Sequence, residues 1–73
     1  MQDKHRRERV HLVQSELHLA QARRNILRQE QLIECLAASG HDTRDANSFL
    51  SALTEALHCF EHHHRIILDR LTT

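Results

Sequence analysis

The residues Leu36-Ala37-Ala38-Ser39-Gly40-His41-Asp42-Thr43 decide the fold of this 73-residue chain. Gly40 is its only glycine, and it follows a run that favours helix. Glycine adopts the left-handed conformation that closes a helix without steric cost. Asp42 or Thr43 can then cap the next helix with a side-chain oxygen, and Asp45 places a negative charge in its first turn. We therefore expect an all-α antiparallel two-helix hairpin, with helices over about residues 3–38 and 44–71.

Each expected helix carries an apolar stripe with alternating spacings of three and four, which places its members on one helix face. In the first helix the stripe comprises Leu12, Ser15, Leu19, Ala22, Ile26, Gln29, Ile33 and Leu36. In the second helix it comprises Ala46, Leu50, Leu53, Leu57, Phe60, His64, Ile67 and Leu71. Folding the chain at the turn pairs Leu36 with Ala46 and continues without slippage to the far ends. Small residues then face large ones, as Ala22 faces Phe60. We call these sixteen residues the seam.

A second apolar stripe runs along each helix. The α1 stripe comprises Val10, Val13, Leu17, Ala20 and Leu27. The α2 stripe comprises Phe49, Ala52, Ala56, Cys59, His63 and Ile66. A lone hairpin covers only one stripe per helix, and a large exposed apolar patch is unusual on a soluble monomer. We therefore expect a homodimer that forms a four-helix bundle with a twofold axis, with its interface on these two stripes.

Composition and charge indicate one small domain over residues 1–73. Hydrophobic residues make up 40% of the chain and charged residues 27%, which is typical of a folded protein rather than a disordered one. No apolar run approaches the length of a membrane span, and no apolar signal segment follows the first residues. With two cysteines and no export signal, we expect a cytoplasmic protein with free thiols and no membrane partner.

The basic N-terminal end raises the alternative of nucleic-acid binding. Residues 1–28 carry a net charge of +4 and residues 29–73 a net charge of −4. Residues 1–11 are expected to project past the paired helices as a basic end, and their candidate phosphate contacts are Lys4, Arg6, Arg7 and Arg9. Such contacts would be weak and independent of sequence. The chain has no Trp or Tyr to stack on bases, and its net charge is zero, so we favour attraction between the two helices instead.

Four of the eight histidines fall within seven positions of the second helix. His58 and His62 are one helical turn apart, as are Cys59 and His63, and this spacing allows two ligands to hold one metal ion. His18 is a further candidate ligand from the first helix. A structural metal site needs four ligands, and one helix face supplies two. We therefore expect surface and seam histidines, no cofactor, and metal binding only as an alternative.

The residues around the turn and late in the second helix resemble a family of small uncharacterised bacterial proteins with a Gly-His-Asp-Thr turn between two helices. The resemblance covers about residues 18–71 and rests on Gly40-His41-Asp42-Thr43 and the segment from His62 through Arg65 to Leu68. It also includes Ile26, Gln29, Ile33, Leu36, Ala46, Leu50, Leu57, Ile67 and Leu71. It implies a helical hairpin in the cytoplasm and brings no activity with it.

The patterns favour assembly over catalysis. No glycine-rich phosphate loop is present, and a Cys59 and His63 pair lacks an orienting group in the sequence pattern. We expect no catalytic residues and no enzyme activity, and a structural or protein–protein interaction module instead. The alternative is an adaptor, in which the second stripes receive a helix of another protein.

Overall fold

The computed structural model describes residues 5–72 and contains two helices within that range. Helix α1 spans Arg6–Ala38 and helix α2 spans Arg44–Thr72. They pack side by side in a hairpin that measures 62 × 15 × 13 Å. The expected all-α hairpin is therefore confirmed. The helix ends next to the turn lie where the sequence predicted them, whereas the expected start at residue 3 lies outside the described residues.

The turn closes α1 with two backbone hydrogen bonds. Gly40 has a φ of +77°, the left-handed conformation that an L side chain rarely adopts. This conformation lets the N–H of His41 donate to the carbonyl oxygen of Leu36 at 2.9 Å. The N–H of Gly40 donates to the carbonyl oxygen of Ala37 at 3.1 Å. The pair satisfies carbonyls at the end of the helix that would otherwise lack partners, so the turn depends on glycine for its geometry.

Asp42 prepares the start of α2. Its Oδ1 accepts a hydrogen bond from the backbone N–H of Arg44 at 2.9 Å. The Arg44 guanidinium donates to Oδ2 at 2.8 Å. The guanidinium first, and the backbone N–H second, hold the pKa of the Asp42 carboxyl below its ordinary value. Asp42 and Thr43 are the two candidate caps. Asp42 accepts a hydrogen bond from the first amide of the helix. The Oγ1 of Thr43 instead accepts one from the side chain of Asn47 at 3.1 Å.

The seam is the core of the hairpin. Every one of its sixteen residues is buried or half-buried. Ile67 is 1% exposed and is the largest fully buried side chain of the described residues. Leu19, at 6% exposure, and Ala22, at 8%, are also buried. Phe60 is half-buried. The three-and-four spacing therefore identified the packed face of both helices correctly, and Ile67 is the most buried large side chain on it.

Contacts between the helices define their alignment. The Gln29 amide donates to the carbonyl oxygen of Ala46 at 2.9 Å, and Arg23 pairs with Glu61 at 3.7 Å between nitrogen and oxygen. The Arg23–Glu61 pair and the ring contact between His18 and Phe60 both lie within about one helical turn of the predicted pairing. The long Gln29 side chain reaches further along α2, to a residue seven positions from its predicted partner Leu53.

Candidate interaction surface

The α1 stripe lies on the side of α1 that faces away from α2. Its large side chains are half exposed or more: Val10 at 51%, Val13 at 58%, Leu17 at 63% and Leu27 at 55%. Ala20 is also exposed. Each of these residues is one or two positions from a seam residue, and each position turns the helix by about 100°. The stripe is therefore an apolar row on the outer surface of the hairpin.

The α2 stripe lies beside the seam. Phe49 is 56% exposed, and Ala52, Ala56 and Cys59 are exposed as well. Ile66 is half-buried. Ala56 also lines a groove between the helices, so this stripe forms one wall of the groove and the surface next to it.

The groove beside the α2 stripe is uncharged: apolar residues and the polar residues His18, Gln21 and Asn25 line it, with no Lys, Arg, Asp or Glu among the described residues that do so. The seam residues Ala22, Leu53 and Phe60 line it, and the His18 ring lies 5.4 Å from the Phe60 ring at a tilt of 40°. Ala22 and Phe60 meet there, as the seam pairing predicted. We call this side of the hairpin the groove face.

Two further side chains extend the groove face toward the turn. His18, Asn25 and Ala56 all line the groove, and each immediately precedes a seam residue. Leu32 and Phe49 also immediately precede seam residues, so they lie on the same side of the hairpin. Leu32 is 48% exposed. Sequence reasoning missed Leu32 because its neighbours at seven-residue spacing, Asn25 and His18, are polar and break the apolar pattern.

The opposite side of the hairpin is charged. Its groove is lined by Glu16, Arg23, Glu61 and Arg65 around the seam residues Leu19 and His64. The Arg23 and Glu61 side chains are 61% and 41% exposed, so their 3.7 Å pair is worth no more than about 1 kcal/mol. Leu68, 37% exposed, is a second large apolar residue that the stripe analysis missed.

The two stripes lie on different sides of the hairpin. The α1 stripe faces outward, whereas the α2 stripe borders the groove face. One flat contact with a second molecule cannot cover both stripes completely. Either they contact different partners or only one of them is the main interface.

The histidine cluster does not close around a metal ion. His58, His62, His63 and Cys59 are all exposed, and His64 is half-buried in the seam. Across residues 5–72, no three His, Cys, Asp or Glu side chains come together as ligands of one metal ion would. His18, the further candidate ligand, packs its ring beside Phe60 instead.

Two seam residues leave polar atoms without partners. The Oγ of Ser15 and the Nε2 of His64 are buried and have no hydrogen-bond partner among the described residues. A buried polar atom without a partner costs free energy relative to an apolar one. These two residues therefore lower the stability of the hairpin while occupying its core.

The basic end is described in part. Arg6, Arg7 and Arg9 lie in the first turn of α1, while Lys4 lies outside the described residues. Cys35 and Cys59 are free and exposed. Within residues 5–72, neither helix combines the length and the apolarity that crossing a bilayer requires.

Comparison with known proteins adds no relative. No protein-family model, curated protein or solved structure matches this chain.

Proposed function

We propose that this chain is a non-enzymatic, self-assembling helical hairpin, and that its homodimer forms a four-helix bundle that serves as a structural or protein–protein interaction module. The observation that carries this proposal is the imbalance between core and surface. Three hydrophobic residues are buried in the described hairpin, whereas seven large hydrophobic side chains are exposed. A second chain is the simplest means of covering part of this apolar surface, since a small scaffold seldom builds a sufficient core alone.

The exposed area supports the same proposal. The chain exposes 5925 Å². A compact monomer of 8.6 kDa exposes roughly 4,700 Å² by the usual scaling of surface with mass. The excess is larger than the ~800 Å² that each partner buries in an interface of standard size. Covering one face of the hairpin with an interface of standard size would therefore remove about two thirds of this excess.

We place this assembly in the cytoplasm. Cys35 and Cys59 are free and exposed, and exposed thiols persist in a reducing compartment. They would be prone to oxidation and cross-linking in an oxidising one.

Light scattering and sedimentation equilibrium of the purified chain over a range of micromolar concentrations test the proposal. We expect a mass twice the 8.6 kDa of one chain. Circular dichroism on the same samples reports whether the helices are formed. A helical, folded chain that keeps the mass of a monomer throughout this range would refute self-assembly.

The second candidate is an adaptor that binds a helix of another protein. The outward direction of the α1 stripe favours it, because Val13, Leu17 and Leu27 are exposed on a surface far from the groove. An apolar row of this kind matches the way an amphipathic helix docks on a partner. A folded monomer that binds a labelled amphipathic helix, and loses that binding in Leu17→Glu, would favour the adaptor.

A further inference from the structure

We infer that the second copy docks on the groove face, with the two α2 helices antiparallel and paired through the α2 stripe. This inference rests on the proposed self-assembly and specifies its geometry. It places Phe49 against Ile66 of the second copy, and Ala56 against Cys59 of the second copy. The α1 stripe stays outside this contact.

The distribution of charge selects the groove face. The charged groove on the other side contains Glu16, Arg23, Glu61 and Arg65, whereas the groove beside the α2 stripe is lined by no Lys, Arg, Asp or Glu in the described part of the chain. The core of a protein interface is depleted of charged residues and enriched in aromatic ones. Phe49 and Leu32, exposed by 56% and 48%, provide large apolar groups on the same face.

The spacing of the α2 stripe selects the pairing. With one flanking residue at each end, the row is Asp45, Phe49, Ala52, Ala56, Cys59, His63, Ile66 and Arg70. Its spacings alternate between four and three and read the same in both directions. When the second copy runs antiparallel, each residue of the row therefore lies opposite a residue of the same row on the other copy. The twofold axis passes between Ala56 and Cys59, which makes the contact isologous, as a closed dimer requires.

The flanking charges agree with the antiparallel direction. Asp45 is exposed at the start of the row and Arg70 is exposed at its end. In the antiparallel pair each Asp45 lies opposite Arg70 of the second copy, and the two helix dipoles oppose each other favourably. A parallel pair would instead bring Asp45 against Asp45 and Arg70 against Arg70. Like charges placed opposite each other disfavour that arrangement.

Side-chain size gives the same result. The small residues Ala52, Ala56 and Cys59 occupy the middle of the row, and the large residues Phe49 and Ile66 occupy its two ends. The distance between packed helices depends on the side chains at their contact. Small residues allow the helices to approach closely at the axis. Phe49 and Ile66 of the second copy then pack against each other on both sides of it.

Disulfide cross-linking tests the direction of the pairing. In a chain with Cys35→Ser and Cys59→Ser, we would introduce Ala52→Cys alone, His63→Cys alone, or both together. The antiparallel pair brings position 52 opposite position 63 of the second copy. Identical positions are eleven residues apart along the pair, or about 16 Å, well beyond the ~7 Å between α-carbons that a disulfide spans. The same distance excludes a bond within one chain.

We expect a mild oxidant to convert the double variant into a covalent dimer and to leave both single variants uncross-linked on a non-reducing gel. Efficient cross-linking of the single variants would overturn the antiparallel pairing in favour of a parallel one. A double variant that is dimeric by light scattering but forms no disulfide would show that the dimer uses another face. A monomeric, folded chain would refute the proposed function itself, so the two failures are distinguishable.

A set of matched glutamate substitutions tests the choice of face. Ala56→Glu places a charge at the twofold axis, and we expect it to weaken the dimer on the order of 100-fold. Ser51→Glu adds the same charge at an exposed position of α2 outside the stripe, and Leu17→Glu adds it on the α1 stripe. Both should leave the dissociation constant within a few-fold of the wild type. Dissociation by Leu17→Glu with a tight dimer for Ala56→Glu would assign the interface to the α1 stripe instead.

Discussion

The side-chain amide of Gln29 on α1 donates a hydrogen bond to the backbone carbonyl oxygen of Ala46 in the first turn of α2, with 2.9 Å between Nε2 and O. Gln29 is 9% exposed. A polar side chain in a buried seam is tolerated only when its hydrogen bonds are made. The bond joins the two helices close to the turn, and it explains why glutamine occupies a stripe otherwise dominated by aliphatic residues.

Removing this bond should destabilise the hairpin. Gln29→Ala eliminates the donor and its packing, and we expect a loss of about 1–2 kcal/mol in the free energy of unfolding. The control is Gln31→Ala, the same change at an exposed position of the same helix, which should stay within about 0.5 kcal/mol of the wild type. Urea unfolding followed by circular dichroism at one protein concentration measures both. Equal losses would mean that the Gln29 bond does not contribute to stability.

The core at Ile67 leads to the largest predicted loss. Ile67→Ala removes the most buried large side chain, at 1% exposure, and should cost about 2–5 kcal/mol through lost burial and the cavity that remains. Leu68→Ala is the matched control, because the neighbouring leucine is 37% exposed and leaves no enclosed cavity. We expect a clearly smaller loss for it in thermal and urea unfolding. If the order of the two losses were reversed, the packed face of α2 would be misassigned.

The buried hydroxyl of Ser15 predicts a stabilising substitution. Ser15→Ala removes an oxygen that is buried without a partner among the described residues, and we expect a gain on the order of 1 kcal/mol. Ser51→Ala is the control: it makes the same change in helix propensity at an exposed position of α2. The difference in unfolding free energy between the two variants isolates the buried hydroxyl. A Ser15→Ala variant less stable than its control would indicate that this oxygen has a partner in solution.

The lowered pKa of Asp42 predicts a dependence of stability on pH. The carboxylate is favoured in the folded chain by the Arg44 guanidinium and the Arg44 backbone N–H. Its contribution is therefore present above the unfolded pKa, about 3.9 for an aspartate, and is lost as the pH falls through the lower folded value. The melting temperature of Asp42→Asn should be lower than that of the wild type at pH 6. The difference between the two melting temperatures should become smaller toward pH 2.

Arg44→Gln gives the matching test of the cause. The double variant Asp42→Asn/Arg44→Gln tests whether the Arg44 guanidinium is the main source of this stabilisation. If it is the main source, the double variant should lose less unfolding free energy at pH 6 than the two single variants lose in sum. Additive losses would show that the pair acts through its separate contacts with the helix end.

The sequence alone determined the fold and the buried face. The local signals agree with one another: one glycine at the turn, a capping aspartate, no proline, and two stripes with helical spacing. Because an α-helix repeats every 3.6 residues, such spacing identifies the face that must be buried without knowledge of the partner helix. All sixteen seam residues accordingly lie in or beside the core. The turn-proximal helix ends followed from the residues of the turn.

Only the tertiary structure decided how the remaining apolar surface is arranged. The direction of each second stripe is defined relative to the other helix, so it follows only once the seam is known to pack against that helix. The structure separates the α1 stripe from the groove face, adds Leu32 to that face, and concentrates charge on the opposite side. It also shows that the long side chain of Gln29 reaches Ala46, a contact that depends on the path of the side chain in space. Periodicity specifies which face is buried, whereas packing in three dimensions decides what lies beside it.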